Sequence, residues 1–144
     1  MAAGLALVAA PVFASDAVGS SKEFEVEIPV GVDSARSVIL ELSDVQLPRM
    51  ASVVLRARSL ESVAGTVTEL PLGSIGLLAE SKNAEGVTRH AVVRIEVTKR
   101  LKRWRQDHPG IGTLRIRVVP YAGADPMPQL KWSAASAQLT LSGT

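Results

Sequence analysis

The chain has 144 residues, 47 % hydrophobic and only 3 % aromatic, so one domain can bury a core made mostly of aliphatic side chains. It has no cysteine, which excludes disulfides, thiolate metal sites and cysteine nucleophiles. The formal net charge of +2 is a small excess for a protein that would neutralise many phosphates, and it argues against nucleic acid as a partner.

The first element is an apolar run, "GLALVAAPVFA" at 4–14, which ends in small residues. Val12 and Ala14 fit the two small-residue positions before a signal-peptidase cut, so 1–14 reads as a signal peptide and 15–22 as a polar linker. No Lys or Arg precedes the run, and a buried N-terminal element is the alternative. The run is too short to span a bilayer, and no other long apolar stretch follows. These features predict a periplasmic or secreted protein whose single domain covers 23–142.

Period-two alternation dominates the remainder. "EFEVEIPV" (23–30) puts Phe24, Val26 and Ile28 on one face and Glu23, Glu25 and Glu27 on the other, a charged face suited to a soluble edge. "RSVILELSDV" (36–45) and "ASVVLRARSL" (51–60) turn Val38, Leu40, Leu42 and Val53, Leu55, Ala57 inward. "SVAGTVTELPLG" (62–73) is a further strand, which Pro71 should end or place at an edge. The next residues, "PLGSIGLLAE" (71–80), read as an apolar loop. Leu72, Ile75 and Leu77 are its candidates for a partner surface, unless the loop folds back over an open end of the core. "VTRHAVVRIEV" (87–97), "GTLRIRVVP" (112–120) and "QLKWSAASAQLTL" (129–141) complete the set. The second of these should point Leu114, Ile116 and Val118 inward and Arg115 and Arg117 outward; the third is one long strand or a bent pair. Gly, Pro and Asn cluster in the connections, among them "NAEG", "HPGIG" and "YAGADPMP". About seven strands at roughly ten-residue spacing predict an all-β antiparallel sandwich, jelly-roll or Greek-key-like.

One segment departs from the alternation. "TKRLKRWRQ" (98–106) holds Lys99, Arg100, Lys102, Arg103 and Arg105, five cations in seven positions. Leu101 and Trp104, three apart, share a helix face. With Thr98 as N-cap and Pro109–Gly110 as terminator, the segment predicts a short crossover helix near 98–107. Leu101 and Trp104 would then cap one end of the sandwich, and the five cations would form a basic surface in water, their stems covering apolar groups.

Catalytic signatures are missing. The two histidines, His90 and His108, lie far apart in sequence and have no cysteine to assist them, which argues against an intrinsic metal site. His108 suits a helix C-terminus, where it can meet the last carbonyls. No nucleophile elbow, phosphate-binding loop or dinucleotide fingerprint is present.

Taken in order, the segments resemble the C-terminal domain of tyrosinases and polyphenol oxidases, the type-3 copper enzymes. "KEFEVEIPV" is similar to that domain's first strand. "SVILELSDVQLP" resembles its V-L-x-L-x-G-I strand, with Ser43–Asp44 where glycine is common. "ASVVLRARS" is similar to the following strand. "SVAGTVTELPLG" fits the pattern F-A-G-S-F-V-N-V-P-H at Ala64, Gly65, Val67 and Pro71. "IEVTKRLKRW" resembles the strand-into-helix signature, with Leu101 in place. "LRIRVVP" and "AQLTL" resemble the last strands. Aliphatic residues replace most of the aromatic residues of the family's first, third and fourth strands. The resemblance implies a non-catalytic domain that packs on the copper-binding catalytic domain of such an oxidase and shields it. It would need no cofactor of its own, the copper belonging to the partner. An apolar plug into the partner's substrate pocket would come from the Leu72–Leu77 stretch. The alternative is a free-standing secreted sandwich that binds another protein or a polysaccharide, with Trp104, Trp132 and Tyr121 as the candidate stacking rings. A nucleic-acid site at 99–105 is opposed by export and by the low net charge.

Overall fold

The computed structural model describes residues 20–48, 52–78 and 88–143. The expected signal peptide, most of the linker and the "NAEG" turn lie outside the described residues. Within them, eight strands and one helix follow in order: β1 (Lys22–Glu27), β2 (Ser37–Pro48), β3 (Val53–Val63), β4 (Thr66–Leu77), β5 (Thr88–Glu96), α1 (Thr98–Asp107), β6 (Thr113–Ala122), β7 (Asp125–Pro126) and β8 (Ser136–Ser142). They form two antiparallel sheets, an all-β sandwich. One sheet runs β1-β6-β3-β4, with the two-residue β7 added to β6; the other runs β5-β2-β8. Only β3–β4 and β6–β7 are consecutive strands paired side by side, so the other connections cross between sheets.

The core lies between the sheets and is aliphatic, as the composition requires. Val38, Leu40 and Leu42 of β2 face Leu55 and Ala57 of β3 and Leu114, Ile116 and Val118 of β6 within one buried cluster. The alternation in β2 changes phase midway: the buried positions pass from Leu42 to Val45 and Leu47. A bulge between Leu42 and Val45 absorbs the extra residue, and Asp44 takes φ 47° there. Without that bulge, Val45 and Leu47 would face solvent, because a one-residue slip turns every following side chain over. Asp tolerates the left-handed region better than most residues. Its carboxylate also accepts hydrogen bonds from His90 Nδ1 at 3.1 Å and from Gln46 Nε2 at 3.4 Å.

The β3–β4 hairpin turns on Ala64 and Gly65, with φ of 52° and 82°. Positive φ at both central residues defines the turn whose twist matches that of the flanking strands.

β4 differs from the sequence reading. It does not stop at Pro71, and "PLGSIGL" is strand rather than loop. Pro71 is accommodated because β4 is an edge strand. A second bulge sits beside it: Ala57 pairs with Gly73 and Arg58 with Pro71, leaving Leu72 as the extra residue, driven into the core at 3 % exposure. Near the C-terminus, the expected long strand is confined to Ser136–Ser142. Upstream of it the chain is irregular, with a single bridge from Ser133 to Gln46.

The central strand β6 holds another correction. Arg117 points away from the core, as alternation predicts, yet it is only 2 % exposed. Its β3 neighbour is Arg58, a like-charge pairing that is unfavourable alone. Glu69 on β4 resolves the conflict, lying 2.8 Å from Arg117 and 3.6 Å from Arg58. Glu23, paired with Arg117 across β1–β6, approaches it to 3.1 Å and Arg115 to 3.2 Å. Flanking strands thus supply the carboxylates that a buried guanidinium requires.

The tightest backbone approach is at Gly73. A Cβ there would stand 2.3 Å from the carbonyl oxygen of Glu96 and 3.1 Å from the Ile95 side chain. Gly73→Ala should therefore destabilise the fold by about 1–3 kcal/mol in a thermal or denaturant melt. Gly76→Ala, in the same strand with nothing within 4 Å of the added carbon, should change stability little.

The Asp44 bonds carry a pH signature. Hydrogen bonding to His90 first, then to Gln46, holds the Asp44 carboxyl below its ordinary value. A depressed folded-state pKa gives stability that is fully present above the unfolded value, about 3.9, and is lost as pH falls through the folded one. The melting-temperature advantage of wild type over Asp44→Asn should be present near pH 5 and shrink below about pH 4.

Candidate functional site

The connection from β5 to β6 crosses from one sheet to the other through α1, which closes one end of the sandwich. Leu101 and Trp104 are the buried residues of the helix, at 1 % and 7 % exposure, and both belong to the core cluster. Trp104 also stacks on His108, with ring centroids 4.4 Å apart and planes 11° from parallel. His108 sits just past the helix end. Its Nδ1 donates to the Trp104 carbonyl oxygen at 2.8 Å, and its Nε2 meets the carboxylate of Glu61 on β3. The helix terminus, the indole and β3 are thereby joined.

The helix start differs from expectation. Val97, not Thr98, is the N-cap residue, and no side chain caps the helix. Thr98 instead ties the helix to β2: the Val38 N–H donates to its hydroxyl oxygen at 2.8 Å, and the hydroxyl lies within reach of the Val38 carbonyl and the Glu96 carboxylate. A threonine that bridges to the neighbouring strand cannot also cap its own turn.

The basic residues fall into two groups rather than one solvated face. Lys102 donates to the carbonyl oxygen of Ala35. Arg105 donates to the carbonyl oxygen of Ile111 and lies 4.0 Å from Asp33. These two brace the loops on either side of the helix. Lys99, Arg100 and Arg103 turn the other way and line a cleft of about 670 Å³ between α1 and the β3–β4 pair. Leu70, Leu72 and Trp104 form its apolar lining, with Ser59 and Asp107 at the margins. Leu70 is 46 % exposed.

This arrangement is locally unfavourable for the helix. Lys99 and Arg103 are four apart, a like-charge spacing that costs about 0.2–0.5 kcal/mol. The first turn holds cations and no acidic residue, opposite to what the helix dipole favours.

The expected partner loop is placed differently. Leu72 is core, while Ile75 and Leu77 are half-buried β4 residues packed against the core. Leu72 contributes to the cleft only as part of its floor. Leu70, one residue before Pro71, is more exposed than these three, and alternation gave no reason to single it out; Leu78, just past β4, is 82 % exposed. The three aromatic candidates for sugar stacking are also buried. Trp132 is 6 % exposed and its Nε1–H donates to the Ser20 carbonyl oxygen at 2.5 Å. Tyr121 lies beneath Arg56, whose guanidinium carbon is 4.0 Å from the ring centre, and its hydroxyl accepts from Arg58 at 2.6 Å. With Trp104 under the helix, none of the three offers an open ring face to a polysaccharide.

Among the described residues, no three histidine or acidic side chains gather as a metal-ligand set, and no helix is long and apolar enough to cross a membrane.

Neither a protein-family model nor a curated protein sequence matches the chain. Solved structures do. The fold is similar to latent aurone synthase, a polyphenol oxidase, from a natural source, with a TM-score of 0.59 and 10 % sequence identity over 87 % of this chain and 25 % of that one. A recombinantly expressed latent form of the enzyme gives a TM-score of 0.55 at 10 % identity, over 85 % and 24 % of the two chains. The chain thus spans about a quarter of the length of these polyphenol oxidases, and the likeness is one of fold.

Trp104→Ala should cost about 3–5 kcal/mol, because it empties the space beneath α1 and removes the stacking partner of His108. A change of less than about 1 kcal/mol in a denaturant melt would show that the helix does not hold this end closed.

Proposed function

We propose that this chain is a non-catalytic, exported β-sandwich that packs against the catalytic domain of a type-3 copper oxidase and shields or assists it. The observation that carries the reading is the fold likeness: nearly the whole described sandwich superposes on about one quarter of a latent polyphenol oxidase. The segment order in the sequence, from "KEFEVEIPV" through "SVAGTVTELPLG" to "LRIRVVP", also supports it. The apolar run at 4–14 supports export to the periplasm or the exterior. On this reading the copper and the oxidation chemistry belong to the partner, and this domain contributes a surface.

The test is co-expression with a type-3 copper oxidase catalytic domain encoded in the same genome. Co-purification, together with a change in the oxidase's latency or copper loading, is the expected result. Separate elution with unchanged latency and copper content would favour the alternative, a free-standing secreted sandwich that binds a different protein.

A further inference from the structure

The α1–β4 cleft has features that the sandwich itself does not use. Lys99, Arg100 and Arg103 line it, and among the described residues none of the three side chains has a hydrogen-bond or ion-pair partner. Their placement works against their own helix, through the like-charge spacing of Lys99 and Arg103 and through cations in the first turn. Local choices that oppose the local structure without stabilising the fold concentrate at functional sites. The other two cations, Lys102 and Arg105, are accounted for by the loops they brace.

Shape narrows the ligand. The cleft continues into a second hollow of about 280 Å³, which shares Pro71, Leu72 and Arg100 with it and extends along β4 to Ser74. From Leu70 to Ser74 the strand advances four residues, about 13 Å. That is the length of an extended peptide of about four or five residues. The floor is apolar at Leu70 and Leu72, and the helix wall is cationic. Asp107 stands at the end of α1 farthest from Lys99, so the attractive field is concentrated over the first turns of the helix.

We infer that this groove docks an extended acidic segment of a partner protein, one that alternates carboxylates with one or two large apolar side chains. The carboxylates meet Lys99, Arg100 and Arg103, relieving the repulsion within the helix, and the apolar side chains cover Leu70 and Leu72. Charge complementarity sets the sign of the partner and speeds its encounter, while the apolar floor separates it from a plain polyanion. The inference stands apart from the oxidase reading, because it concerns the chain alone and its test needs no oxidase.

The experiment is fluorescence anisotropy of the intact chain with a fluorescein-labelled acetyl-Glu-Asp-Leu-Glu-Phe-Asp-Asp-amide. Saturable binding is expected, weakened about tenfold or more in Lys99→Gln/Arg100→Gln/Arg103→Gln and several-fold in Leu70→Gln, but unchanged in Arg94→Gln on the opposite sheet. The isosteric peptide acetyl-Gln-Asn-Leu-Gln-Phe-Asn-Asn-amide should bind far more weakly. Thermal melts establish that the variants are folded; if the triple variant is not, Arg100→Gln and Leu70→Gln carry the test. Equal affinity in the charge variants, equal affinity for the amide peptide, or no saturable binding up to about 1 mM would overturn the proposal. So would a single-stranded DNA 20-mer that binds as tightly with the same dependence on the three cations, since that would mark an unspecific polyanion surface.

Discussion

The backbone contact on which this architecture turns is the approach of β4 to the end of β5. There the Glu96 carbonyl occupies the space a side chain at position 73 would need. The two strands belong to different sheets, so the contact is where one edge of the sandwich closes. The closure fixes more than itself. Glu96 is the last residue of β5, and Val97 and Thr98 follow it immediately into the helix cap and the clamp on Val38. The position of α1 over the open end is therefore set by how closely two backbones can pass. The bulge that pushes Leu72 inward lies on the residue just before Gly73, so core packing and sheet closure are settled in neighbouring residues.

The same corner produces the cleft. Because β4 is an edge strand and α1 crosses beside it, a wall of strand faces a wall of helix with no further strand between them. Trp104 belongs to the core and lines the cleft together with Leu70 and Leu72, and Lys99, Arg100 and Arg103 stand along its helix wall. The basic segment thereby serves two purposes. Lys102 and Arg105 hold the helix to its loops, and the residues on the opposite side face outward over an apolar floor. A corner of this kind can hold a partner's segment without any change in the core behind it.

On the outer surface of the larger sheet a different logic operates. Arg117 occupies the middle of the sheet and is nearly inaccessible, so its charge must be met by neighbours rather than by water. Glu23 and Glu69 reach it from strands on either side, and Glu69 also separates it electrostatically from Arg58. Tyr121, enclosed by Arg56 and Arg58, extends the network along β6. The polar side of this sheet is thus specified almost as closely as the apolar side.

Alternation of apolar residues was sufficient, from the sequence, to place most of the strands, the inward positions Val38, Leu40 and Leu42 of β2, Val53, Leu55 and Ala57 of β3 and Leu114, Ile116 and Val118 of β6, and a helix with Leu101 and Trp104 on one face, because each of these depends on periodicity within a single segment. The order of the segments also suggested a likeness to polyphenol oxidases, and the fold is similar to about a quarter of a latent polyphenol oxidase at 10 % identity. What depends on two segments at once was decided only by the tertiary structure. Pro71 did not end β4 because an edge strand leaves a missing N–H harmless, and Leu72 went inward because a bulge shifted the phase. Thr98 found a strand to bind instead of its own helix. Arg117 was buried by carboxylates 94 and 48 positions away in the chain. The division of five similar cations into two braces and three cleft residues follows from which loops lie beside α1 and which strand lies across from it. Periodicity records only which face a residue shares with its neighbours; what stands opposite that face is settled by how the sheets close.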